Sequence, residues 1–118
     1  MTVPGHRHER IAEEIRHEVS IMLGGELQDP RIAGLVTVTE VRMTPDLRQV
    51  RIFVSVMGTD AEQKSTLTGL SAASGYVRRE LTERLRLRRG PEIHWVPDTS
   101  IEYGARIEDL LRQVKKSE

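Results

Sequence analysis

Apolar residues along the chain change their spacing from segment to segment, and each spacing predicts a different element. Ile11, Ile15, Val19, Leu23 and Leu27 fall every fourth residue, with Met22 beside them. That period predicts a helix from about His6 to Leu27, with Glu9, Arg10, Glu13, Glu14, Arg16 and Glu18 covering its polar side. Gly24-Gly25 lowers helix propensity without breaking the period, so the helix either frays there or runs on to Leu27. Asp29-Pro30-Arg31 ends it, because the residue before a proline is pushed out of the α region. Val36 to Met43 is rich in Val and Thr and predicts a strand. Val36 and Val38 share one phase, whereas Val41 and Met43 share the other. A β-bulge near Thr39-Glu40 reconciles the two phases, as does burial of both faces. Thr44-Pro45-Asp46-Leu47 supplies turn chemistry, and Val50, Ile52, Val54 and Val56 then alternate strictly within a strand from Gln49 to Met57. The two strands form a hairpin.

Beyond the loop Gly58-Thr59-Asp60, Asp60 with Gln63 reads as a capping box. It opens a helix through Leu67 and Leu70, which meets the small residues Ser71-Ala72-Ala73-Ser74-Gly75. A kink at Ala73-Ser74-Gly75 leads into a second helix on which Val77, Leu81 and Leu85 form the apolar stripe, with Arg79 and Arg86 on the opposite side. Gly90-Pro91 stops this helix after Arg89. Glu92 to Val96 alternates again and predicts a third strand, returning parallel to the second by a right-handed crossover. Thr99 with Glu102 opens a final helix through Ile107, Leu110, Leu111 and Val114. The predicted fold is α+β: a three-stranded sheet with helices on one face, in a single domain 1–118 whose core spans about 7–111 between short tails.

Charge adds what periodicity leaves out. The 118 residues balance to zero net charge, yet Ser71 to Arg89 holds six arginines (78, 79, 84, 86, 88, 89) against Glu80 and Glu83. Every cation in that run is arginine, whose planar fork of donors suits phosphate. Arg78, Arg79, Arg84, Arg86, Arg88 and Arg89 are therefore either candidate phosphate contacts or the solvated face of an ordinary amphipathic helix. Ser74 and Gly75 mark a point where a backbone or a ligand can come close, and Arg31, beside the Asp29-Pro30 turn, either joins the contacts or pairs with an acid. One Trp, one Phe and two Tyr are few for a protein that stacks bases on exposed rings. The absence of cysteine excludes disulfides, thiol nucleophiles and cysteine zinc sites. His6-x-His8 lacks a third ligand, and Ser74 lacks the Gly-x-Ser-x-Gly setting of a nucleophile, so neither a metal, a cofactor nor an enzyme activity is expected. No apolar run approaches a membrane span and no signal-peptide core follows Met1, which predicts a soluble cytoplasmic protein without membrane contact.

The order helix, strand, strand, kinked helix pair, strand resembles the KH fold in its bacterial (type II) arrangement, without the GXXG loop of KH domains. Asp29-Pro30-Arg31, Val36-Thr37-Val38-Thr39-Glu40-Val41, Thr44-Pro45-Asp46-Leu47, Ala73-Ser74-Gly75-Tyr76, Arg84-Leu85-Arg86-Leu87-Arg88, Pro91-Glu92 and Asp98-Thr99-Ser100-Ile101 carry a more specific likeness. Through them the chain resembles the ribosome-binding factor A family from about Arg7 to Leu111. The resemblance implies an Ala-x-Gly kink in place of the KH loop, matched here by Ala73-Ser74-Gly75. It also implies a monomeric, non-enzymatic assembly factor that binds the free 30S subunit and its 16S rRNA and assists late maturation of the precursor rRNA, supporting growth in the cold. The same likeness implies that the ligand of Arg31, Ser74, Gly75 and the six arginines of the run is RNA. Gly90 departs from the bulkier residue such a chain would carry where the third strand begins. A reading from another class is a protein-interaction or dimerisation module that uses the first helix or a sheet edge. Salt separates the two, because phosphate binding weakens steeply with ionic strength and apolar contact does not.

Overall fold

A computed structural model describes residues 7–32 and 36–98. The predicted tail, the His6 end of the His-x-His pair and the helix from Thr99 to Val114 lie outside the described residues. Helix α1 (Arg7–Ile21) buries Ile11, Ala12, Ile15 and Val19, the predicted stripe. It neither frays at Gly24-Gly25 nor runs on as an α-helix. Met22–Glu26 forms a π-helical turn, closed by the Leu27 amide donating to the Met22 carbonyl at 3.1 Å. The wider turn rotates the stripe, so Met22 is fully buried and Leu23 and Leu27 only half so.

Strands β1 (Val36–Met43) and β2 (Gln49–Val56) pair antiparallel, and β3 (Glu92–Pro97) pairs parallel with β2 on its other side. The register of β1 slips between Val38 and Glu40. Thr39 is the extra residue, and its bulge brings Val36 and Val38 onto the same face as Val41 and Met43, all four opposite the β2 valines and Ile52. That face, joined by Ile93 and Trp95 of β3, packs against the helices. Ile52, Val50 and Val54 are fully buried there with Ile15, Val19, Leu70, Val77 and Leu81, each such side chain contributing roughly 1.5–3 kcal/mol of hydrophobic stabilisation. Arg42, Arg51, Phe53 and His94 lie on the face turned away from α1, where the Arg42 guanidinium stacks 5.6 Å from the Phe53 ring centre.

The cap of helix α2 (Asp60–Ala72) lies one residue earlier than predicted. Thr59 is the N-cap, its hydroxyl accepting from the Glu62 amide at 3.1 Å while the Glu62 carboxylate accepts from the Thr59 amide. Gly69 is the close contact in this region: a Cβ there would stand 2.7 Å from Cγ1 of Ile32 and 3.1 Å from Cβ of Arg31. Ala73 (φ −85°, ψ −3°) bends the chain into α3 (Ser74–Arg84), so the helix pair breaks within the predicted small-residue junction.

Candidate nucleic-acid interface

Helix α3 is shorter than its sequence pattern predicts. It ends at Arg84, with Leu85 as C-cap, because Arg86 enters the left-handed region at φ 52°. The Arg86 amide donates to the Glu83 carbonyl at 3.3 Å and the Leu87 amide to the Thr82 carbonyl at 2.9 Å, the paired bonds of a Schellman ending. Stopping here lets Leu85 and Leu87 both pack on the core, which a continued helix could not do because they lie about 200° apart around its axis. Arg86 therefore does not share a helix face with Arg79. Instead Arg86, Arg88 and Arg89 occupy the ordered turn that leads to Pro91 and β3.

This turn lies beside the β1–β2 hairpin and the start of α1. Together they enclose a groove of about 730 Å³ lined by Arg7, Asp46, Leu47, Arg48, Arg86, Leu87, Arg88 and Arg89. Arg7 and Arg48 carry no signal in a linear reading; only the fold brings them to the arginine turn. Among the described residues one carboxylate, Asp46, stands against five guanidinium groups, and its Oδ1 already accepts from the Thr44 hydroxyl at 2.6 Å and the Arg48 amide at 3.1 Å. Those two donors hold the Asp46 carboxyl below its ordinary pKa, so it stays an acceptor within the hairpin turn. Among the described residues none of the five arginines forms an ion pair.

The other predicted contacts fall in different surroundings. Arg79 is exposed on α3 and Arg78, also exposed, donates through Nε to the Gly90 carbonyl at 3.0 Å. Gly90 admits this clamp, since a Cβ there would stand 2.8 Å from Arg78 Cγ and from the Thr82 hydroxyl. Arg84 is removed from the set of free phosphate ligands. Its guanidinium holds Glu18 of α1 at 3.2 Å, Glu80 at 3.0 Å and both oxygens of Glu26 in the π turn, while the Tyr76 hydroxyl donates to Glu26 at 3.1 Å. Hydrogen bonds from Arg84 draw the Glu26 carboxyl down, and Glu26 first among the three carboxylates pushes Arg84 further up. Arg31 chooses the acid: its fork grips Asp29 at 2.7–3.2 Å and lowers that carboxyl to about 2. The Ser74 hydroxyl accepts from the Trp95 indole at 2.9 Å and donates to the Leu70 carbonyl at 3.3 Å, pinning the helix junction to β3.

Gly75 overturns one expectation about the kink. It is exposed, its φ lies outside the left-handed region, and a Cβ built on it meets nothing within 4 Å. The fold therefore does not require glycine there. Gly75→Ala is expected to stabilise the protein by about 0.4–1 kcal/mol in urea unfolding, by restricting the unfolded chain. Since the fold accepts the methyl group, weaker ligand binding by this variant would locate a contact directly over α3.

Helix, hairpin, bent helix pair and a β3 strand parallel to β2 make this a KH-like α+β fold, in which a bend at Ala73 stands where KH domains place their GXXG loop. The family model for ribosome-binding factor A matches residues 7–111, and the chain belongs to that family. It is 48% identical over 107 residues to ribosome-binding factor A of Acetivibrio thermocellus, covering 91% of this chain and 87% of that one. The solution structure of a Thermotoga maritima protein superposes with a TM-score of 0.68 at 32% identity, over 86% of this chain and 96% of the other. Ribosome binding factor A of Thermus thermophilus, as fitted into a cryo-EM map of its complex with the 30S subunit, superposes at 0.59 with 25% identity, over 81% and 96% of the two chains.

Proposed function

We propose that this protein is a non-enzymatic assembly factor that binds the free 30S ribosomal subunit as a monomer in the cytoplasm. Contact is made with 16S rRNA phosphates, and the factor assists late maturation of the precursor rRNA. The observation that carries this reading beyond family membership is the Arg86-Leu87-Arg88-Arg89 turn, which holds three arginines in ordered backbone with no carboxylate partner among the described residues. Arginines so placed offer charge and geometry to phosphates without reading sequence. The few aromatic residues favour the same mode, since Trp95 and Tyr76 are already hydrogen-bonded inside the fold. The Ser74 hydroxyl, engaged on both sides, gives its proton to the Leu70 carbonyl rather than to a base that would activate it as a nucleophile.

Co-sedimentation of the purified chain with 30S subunits and with 70S ribosomes, across a KCl series, tests this. Binding to free 30S subunits alone, falling steeply as salt rises, is the expected result. Equal binding to 70S particles, or affinity indifferent to salt, would overturn it. Cleavage of precursor rRNA by the purified chain would overturn the non-enzymatic part.

A further inference from the structure

We infer that the groove between the β1–β2 hairpin, the start of α1 and the turn after α3 is a clamp for RNA phosphates, with Arg7 and Arg48 as its opposing jaw. This rests on the small-subunit reading and names the surface that carries it. Three separate segments converge on the groove: Arg7 opens α1, Arg48 follows the hairpin turn, and Arg86, Arg88 and Arg89 follow α3.

Two features set this surface apart from a general scatter of surface charge. Among the described residues only Leu47 (φ 62°) and Arg86 (φ 52°) adopt a left-handed backbone without being glycine, and both line the groove. Such conformations cost energy and persist where surrounding structure holds them. At Leu47 the hold is visible: its amide donates to the Thr44 carbonyl at 2.9 Å, and its side chain packs on the core. At Arg86 it is the Schellman pair. The backbone beside Arg48 and that of Arg86 are thus held by the fold itself, so binding has side chains to order there but not loops. The second feature is chemical. Among the described residues no aromatic ring lines the groove to offer bases a stacking platform, whereas five cations crowded on a concave surface repel one another until a polyanion fills the space. The occupant that fits is a bent stretch of sugar–phosphate backbone, held by charge with its bases turned away.

The test removes the jaw that lies outside the arginine-rich run. Arg7→Ala with Arg48→Ala changes two exposed side chains, so the fold should persist, as a thermal melt will verify. Arg16→Ala with Arg51→Ala removes the same charge from exposed positions outside the groove and serves as the control. With purified 30S subunits, the groove pair should lose about tenfold or more in affinity at moderate salt. Its log–log salt slope should flatten by about 1.4–1.8, the loss of two phosphate contacts, while the control pair keeps the wild-type slope. Should the groove pair bind with wild-type affinity and slope, or should the control pair lose as much, the clamp is refuted while small-subunit binding stands. If wild-type protein binds no subunits at any salt, the functional reading fails and the clamp with it.

Discussion

Arg84→Ala is expected to lower the melting temperature more than alanine at Arg79, Arg86, Arg88 or Arg89, and to weaken the loss of stability in acid. Among the described residues Arg84 is the cation that pairs with Glu18, Glu26 and Glu80, and these come from α1, the π turn and α3. Taking it away leaves three carboxylates facing one another at the seam between those elements, with charge repulsion where there had been a bridge. In the wild-type fold the Glu26 carboxyl sits below its ordinary 4.5. The unfolded chain therefore takes up its proton first as pH falls, and this contribution to stability, complete above 4.5, is lost on acidification through the lowered value. In the variant the Arg84 hydrogen bonds, the largest cause of that lowering, are gone, so less stability is lost on acidification. Thermal melts of both proteins at pH 7 and at about pH 4, below the ordinary carboxylate value, check the difference. A variant that follows the wild type at both pH values would show that Arg84 does not hold the seam.

The second large effect separates stability from binding at a single residue. Arg86→Gly should stabilise the fold by about 1 kcal/mol, because glycine occupies the left-handed position after a helix without the Cβ clash that arginine bears there. The same change deletes a guanidinium from the groove, and subunit affinity should fall about tenfold with a flatter salt slope. Arg86→Ala is the companion: it loses the cation and keeps the backbone penalty, so it should bind as weakly as the glycine variant and melt near the wild type. Tighter folding with unchanged binding would place phosphate contact elsewhere.

These two arginines show where a linear reading succeeds and where it stops. The sheet was legible because its signal is local. A phase change between Val38 and Val41 demanded one extra residue, and the bulge at Thr39 supplies it. The parallel return of β3 follows from having a helix pair to cross over. The end of α3 was not legible, since Arg86, Arg88 and Arg89 are good helix formers and no glycine marks the stop. The helix ends because Leu87 gains more from the core than from another helical turn, and that balance exists only once the core is assembled. Arg84 and its neighbours read alike in the sequence, yet three distant glutamates make Arg84 an internal strut. Arg7 and Arg48 stood among ordinary surface charges until the hairpin and α1 brought them opposite the turn after α3. The capping box was misplaced by one residue for a simpler reason: Thr59 with Glu62 and Asp60 with Gln63 satisfy the same chemistry, and only the hydrogen bonds choose between them. The small-residue run gave the bend its place but not its cause. A Cβ at Gly75 meets nothing within 4 Å among the described residues, and the tight approach belongs to Gly69, against Ile32.

The hydrogen bond between Trp95 and Ser74 gives this chain a built-in optical reporter. Trp95 is its single tryptophan, half-buried in β3, and its indole N–H ends on the hydroxyl at the bend between α2 and α3. Any separation of the arginine-bearing helix from the sheet exchanges that hydroxyl for water and shifts the indole emission to the red. Unfolding, hinge opening and the effect of Ser74→Ala can thus be followed in unlabelled protein, from the light of one side chain placed at the joint that matters most.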